Sequence, residues 1–288
     1  MSPERSGAGD PARTLALLWR DPATVPSRGP RRGLDVDRLV DTAIGLADRG
    51  GLEAVSVRRL AEALRVAPMT VYTYVPGKAE LLDLMLDSAY ARMPRAGTEG
   101  QPWRARLSAV AEENRSLLTD HPWIGAVSTL RPTLGPGAIG KYEHELAALD
   151  GLGLSDVEMD DCLTHLLAFV ESNARAAADA QATRRDTAMD DREWWDRAGP
   201  VLARYLGDGG VGAVEGGGTR YPLAVRVGAA AGSSRGSAHD PEHAYRFGLG
   251  RVLDGLAVLI DTGLPDTGLI HTAPVDPTHA ESAPVDRA

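Results

Sequence analysis

Residues 56–82 read SVRRLAEALRVAPMTVYTYVPGKAELL. Ser56 is a helix N-cap, and Val57, Leu60, Ala61 and Leu64 behind it recur at helical spacing on one apolar face. The pattern breaks at Arg65-Val66-Ala67 and restarts at Pro68, a residue suited to the first helical turn because its missing N–H has no partner there anyway. The second helix is short, Pro68 to Tyr74, and ends before Pro76-Gly77-Lys78. Two helices joined by a tight turn, the second short and polar on one side, form a helix-turn-helix. The major groove of DNA, about 12 Å wide, admits one such helix. Val71 is expected to face the core with Leu60 and Leu64, leaving Met69, Thr70, Thr73 and Tyr74 outward and Tyr72 at the edge. Thr70 can bond a base edge or phosphate, Met69 can touch a thymine methyl, and the Tyr72 hydroxyl can reach phosphate. Lys78 joins its ammonium to the N–H groups of a helix start, which together favour an anion.

Outward from this stretch the chain reads as all-α. A helix begins after Leu34 with Asp35 as cap, carries Leu39, Val40, Ala43, Ile44, Leu46 and Ala47, and stops at Arg49-Gly50-Gly51. Another opens near Lys78 with Leu81, Leu82, Leu84, Met85 and Leu86, and ends before Pro94. Further helices are expected near 102–119, 123–129, 136–150, 155–180, 189–206 and 241–263, with no strand pairs. Residues 1–33, rich in Pro, Gly and Arg, read as a flexible basic arm. Residues 34–95 form one domain and 96–264 a larger one, with a mobile Gly/Ser/Ala-rich loop at 207–240 and a disordered tail at 265–288.

Charge separates along the same lines. The 288 residues carry a net charge of −9, yet residues 28–78 hold nine Lys/Arg against six Asp/Glu. A small basic module is joined to an acidic body. The single cysteine, Cys162, excludes an internal disulfide and a cysteine-rich zinc site, and is expected as a small buried hydrophobe. No run approaches the ~18–20 apolar residues of a membrane span, and no signal-peptide core opens the chain, so a cytoplasmic location is expected.

Other features carry weaker chemistry. Gly207 to Gly212 match G-x-G-x-x-G but lack the strand and helix that a dinucleotide site needs, so a flexible loop is preferred. His239 and His243 have a metal-ligand spacing, but Asp240-Pro241 looks like a helix start between them. Trp194 and Trp195, being adjacent on a helix, point in different directions. No nucleophile–base pair, metal quartet or phosphate loop in context supports catalysis, and no cofactor is expected.

The stretch from Leu34 to about Asp87, with Gly51, Ser56, Leu60, Ala61, Leu64, Val66, Thr70, Tyr72, Tyr74, Lys78 and Leu81-Leu82 in register, resembles the DNA-binding domain of the tetracycline-repressor (TetR) family of bacterial transcription regulators. Trp103, His121-Pro122-Trp123, Arg131-Pro132 and Glu143 resemble the same family's C-terminal domain more loosely. The resemblance implies an N-terminal three-helix helix-turn-helix domain and a larger ligand-binding and dimerisation domain. It implies a non-enzymatic homodimer on a near-palindromic operator in double-stranded DNA, released by a small-molecule effector. Carried over residue by residue, it implies DNA contacts at Arg58, Pro68, Met69, Thr70, Tyr72, Thr73, Tyr74 and Lys78. Arg32, with Arg28 and Arg31, is a further candidate for a minor-groove arm. Helices 155–180 and 241–263 would form a four-helix interface with their mates, Gly248 and Gly255 permitting close packing. Aromatic and polar residues on presumed inward faces suggest a ligand pocket around Trp103, His121, Trp123, Tyr142, His165, Phe169 and Trp195. The rival readings are a small-molecule enzyme with an incidental helix-turn-helix, and an activator without ligand response.

Overall fold

A computed structural model describes residues 4–22, 34–129, 131–206, 212, 219–235 and 240–262. The DNA-binding half is built from α2 (Val36–Gly50), α3 (Val57–Leu64), α4 (Pro68–Tyr74) and α5 (Lys78–Arg92). Asp35 caps α2 by accepting the Arg38 N–H at 2.8 Å, and Ser56 caps α3 by accepting that of Arg59. The α2 stripe Leu39, Val40, Ala43, Ile44 and Ala47 is buried against Leu60, Ala61 and Leu64 of α3 and Val71 of α4. Gly51 leaves α2 at φ 68°, a left-handed value at which glycine has no Cβ penalty. Arg65 ends α3 at φ 56°, and its N–H and that of Val66 bond back to Glu62 and Ala61. This left-handed cap, made without glycine, sets the turn into α4.

The second half packs α6 (Trp103–Asp120), α7 (Pro136–Ala147), α8 (Asp156–Thr187) and α11 (Pro241–Thr262). Its core holds Leu107, Val110, Leu149, Cys162, Leu163, Leu166, Val170, Tyr245 and Leu253. Ser155 and Glu158 form a capping box that starts α8. The two halves are not independent. Leu117, Trp123, Ile124 and Val127 belong to the core of the DNA-binding half. α5 is buried almost all round from Glu80 to Asp87, because it lies between that core and α7. At the crossing, Asp87 accepts the Ala138 N–H at 2.8 Å, and Gly137 lets the start of α7 approach the α5 backbone.

Several expectations need correction. The arm expected over 1–33 is folded from Glu4 to Arg20. β1 (Glu4–Arg5) pairs in parallel with β2 (Val127–Ser128), and α1 (Pro11–Leu18) buries Thr14, Leu17 and Leu18. Composition hid a complete local signal: Asp10 caps α1, accepting the Arg13 N–H at 2.8 Å, and Pro11 fills its first position. Instead of a helix at 123–129 there is a single 3₁₀ turn, Ile124–Ala126, and then β2, so a strand pair exists after all. Gly125, in the middle of this stretch, weakens a regular helix there. The loop expected at 207–240 contains α10 (Pro222–Arg235), opened by proline and rich in alanine. α8 runs on to Thr187 through its alanine-rich end, and α9 spans Asp191–Leu206 with no buried residue. The close neighbour of Gly248 is Phe169 of the same chain, whose Cζ would lie 2.6 Å from a Cβ there. A Cβ at Gly255 would meet nothing within 4 Å.

Candidate DNA-reading helix and effector cavity

α4 stands on the surface with Val71 and Tyr74 buried beneath it at 2% exposure each. Tyr74 is therefore a core residue and not an outward contact. Its position three residues after Val71 puts both on one helical face, and its hydroxyl is buried without a hydrogen-bond partner. The outward side carries Pro68, Met69 (73% exposed), Tyr72 and Thr73, with Thr70 half-buried at its edge. Thr73 folds its hydroxyl back towards the Met69 carbonyl at 3.4 Å. Arg58 on α3 is exposed beside α4 and pairs with Glu62 at 2.9 Å. Tyr72 and Lys78 line one shallow recess with Ser56 and Gly77, an arrangement that can hold one phosphate oxygen between a phenol and an ammonium. Lys78 is engaged by Glu4 of the N-terminal segment, Nζ to Oε1 at 2.5 Å. Arg32, with Arg28 and Arg31, lies outside the described residues.

The seven residues expected to line a ligand pocket do not converge. Trp123 is buried and donates its indole N–H to Asp48 of α2 at 2.8 Å, while His121 Nδ1 lies 2.7 Å from the same oxygen. They form a latch between the two halves. Trp103 packs at the far end of the second core and donates to Asp261 at 3.1 Å. Tyr142 is exposed and bonds Asp160 at 2.7 Å, and His165 is exposed on α8. Phe169 stacks on Tyr245 inside the second core, and Trp195 packs edge-on against Trp194 on α9. Cys162 is buried as expected, and burial pushes its thiol up.

A recess of ligand size lies elsewhere. A cavity of about 730 Å³ opens between the end of α6 at Leu118, the segment Pro122 to Thr129, and one face of α8. Ala174 and Ala178, one turn apart on α8, leave the space. Glu171, Arg175 and Asp179 supply charge beside the apolar walls of Leu118 and Val127. Arg175 ties the two sides together, donating to the Gly125 carbonyl at 2.9 Å. Paired small residues one helical turn apart were the available sequence signal. Among the described residues no group of three or more His, Cys, Asp or Glu is placed to hold a metal ion, and no helix is long and apolar enough to cross a membrane.

Comparison with known proteins gives this geometry a context. Residues 39–85 match the family model of the bacterial regulatory proteins of the tetR family, and residues 96–260 that of the tetracyclin repressor-like C-terminal domain. The chain is 40% identical over 260 residues, 90% of each protein, to the HTH-type transcriptional repressor DrrR1 of Streptomyces coeruleorubidus. It is 25% identical over 171 residues to the Escherichia coli tetracycline repressor protein class E, covering 59% of this chain and 78% of that one. In fold it is similar to ActR of Streptomyces coelicolor, solved in complex with actinorhodin, with a TM-score of 0.63 at 23% identity over 81% of this chain and all of that one. With both halves matched and the helix-turn-helix in place, the chain belongs to the tetracycline-repressor family and is a DNA-binding transcriptional regulator.

Proposed function

We propose that the protein is a homodimeric, cytoplasmic repressor without enzymatic activity that leaves a near-palindromic operator when a small molecule enters the 730 Å³ cavity. The observation that carries this reading is the double role of residues 122–129. They wall the cavity, and they are held to the DNA-binding half by Trp123, Ile124 and Val127 in its core and by the Asp48 latch. A guest that displaces this wall shifts α2, and with it α4. It need only bind the displaced state more tightly than the DNA-competent one. The cavity's mixture of apolar wall and charge fits a guest with both characters, and ActR, similar in fold, was solved with actinorhodin bound. Dimerisation is assigned to the outward faces of α8 and α11, where Phe247 and Val258 are exposed and Gly255 leaves room for a neighbour. In such a dimer the two α4 helices would enter major grooves one DNA turn apart, roughly 34–36 Å.

Selection of bound sequences from a random DNA pool, followed by release assays with candidate metabolites, tests the proposal. A near-palindromic consensus is expected. Thr70→Ala should weaken specific binding, whereas Lys78→Ala should weaken all DNA binding and flatten its salt dependence. Ala174→Trp, which fills the cavity, should keep operator binding and lose release. No enriched sequence, or release unaffected by Ala174→Trp, would sink the reading.

A further inference from the structure

A second cavity, about 330 Å³, lies between the N-terminal segment and α5. Its walls are residues 7–18, Asp83 of α5 and the loop Arg131 to Leu134, and most of the lining is apolar: Pro11, Leu15, Leu18, Pro132 and Leu134. Four polar side chains interrupt it: Thr14, Asp83, Arg131 and Thr133. Asp83 is 1% exposed, and its oxygens accept the Gly7 N–H at 3.0 and 3.2 Å. It makes no ion pair with Lys, Arg or His among the described residues, and Arg131 at the rim donates to the Gly7 carbonyl instead. Glu80, one turn earlier on α5, is a second buried carboxyl close to Gly9, and Arg131, the cation in the lining, is turned to the Gly7 carbonyl and forms no ion pair with either acid. Thr14 lines the same space at 7% exposure, and its hydroxyl has no hydrogen-bond partner.

A buried carboxyl without a cation and a buried hydroxyl without a partner are both costly, and both become favourable with the right guest. An ammonium meets both needs: it can donate to the free lone pairs of Asp83 and to Thr14 Oγ1, while an apolar body covers Leu15, Leu18 and Leu134. We propose that this cavity is a second small-molecule site, separate from the 730 Å³ cavity, and that it takes a compact primary amine on an apolar body. Burial also raises the Asp83 carboxyl above its ordinary value, against the N–H bond from Gly7. A cation beside it would lower it again.

Trp19 provides a local reporter, because its indole N–H donates at 2.9 Å to the carbonyl of Leu134, a lining residue. The full-length protein, labelled with 5-fluorotryptophan, is titrated with phenethylamine and with 2-phenylethanol, its neutral counterpart, by calorimetry and fluorine NMR. Phenethylamine should bind about tenfold tighter or better, move the Trp19 resonance and raise the melting temperature. Asp83→Asn, which keeps an acceptor for Gly7, should abolish the preference for the amine. Thr14→Val, which keeps the shape, should weaken the amine several-fold and leave the alcohol unchanged. Ala174→Trp, in the larger cavity, should change none of this. Equal affinity for amine and alcohol, an amine preference that survives Asp83→Asn, amine binding that leaves Trp19 unmoved, or no binding of either at millimolar concentration overturns the proposal.

Discussion

Gly137→Ala tests the junction at which α7 meets α5. A methyl group at this position falls within the contact sphere of the Asp87 carbonyl oxygen, 2.9 Å from its carbon and 3.0 Å from the Ala91 methyl. The backbone of α5 cannot swing aside as a side chain tip could, so the two helices must part. Parting them lengthens the 2.8 Å bond from the Ala138 N–H to Asp87, whose side chain is buried. Overpacking costs about 1–3 kcal/mol, and loss of a hydrogen bond to a buried carboxylate about as much again, so a loss of roughly 2–6 kcal/mol is expected. The gain in helix propensity of alanine over glycine, up to about 1 kcal/mol, offsets only part of this. Gly140→Ala is the internal standard: it lies in the same helix, and a Cβ there meets only the tip of Arg95 at 3.6 Å. It should be neutral or stabilising by up to about 1 kcal/mol. Urea unfolding followed by circular dichroism reads both variants, with operator affinity measured in parallel. If Gly137→Ala is as stable as Gly140→Ala, the close approach of α7 to α5 is not a feature of the folded protein.

Three further outcomes follow from named contacts. Tyr74→Phe should leave operator affinity unchanged and stability unchanged or higher by up to about 1 kcal/mol, because it removes a buried hydroxyl without a partner, whereas Tyr72→Phe should weaken DNA binding; gel-shift titrations compare them. Asp48→Ala strands the Trp123 indole N–H at a site only 3% exposed, so a loss of about 1–3 kcal/mol is expected in thermal melts, with weaker coupling between ligand binding and DNA release. Burial is the main cause that lifts both Asp83 and Asp87 above 3.8, against the N–H bonds that Gly7 gives the first and Ala138 and Gly137 the second. Below 3.8 both carboxyls are protonated, folded or not; as pH rises the unfolded chain ionises first, so stability falls until the folded carboxyls ionise too. The stability of Asp83→Asn relative to the parent protein should therefore increase from acid towards neutral pH in denaturant titrations; a constant difference would refute the raised value.

What could be read from the sequence depended on the range over which each feature is encoded. The helix-turn-helix was legible because its determinants are local: caps at Asp35 and Ser56, the positive φ at Gly51, and apolar spacing on α2 and α3. Tyr74 was misplaced by the rotation of a seven-residue helix, too short for its pattern to fix which edge faces inward. His121 and Trp123 were expected to line a ligand pocket, and both bond Asp48 instead. Their partner, Asp48, lies 73 and 75 residues away on α2, and no local pattern encodes that pairing. Cavities are harder still, since they are defined by side chains that are missing. Ala174 and Ala178 make the larger one only because Pro122 and Gly125 bring an irregular segment opposite them. The same segment ends in β2, where it holds the N-terminal strand, so this irregular stretch is shared by the 730 Å³ cavity, the DNA-binding core and the N-terminal segment. Irregular backbone here follows from position: a segment that must contact three bodies at once cannot present a single helical face to all of them.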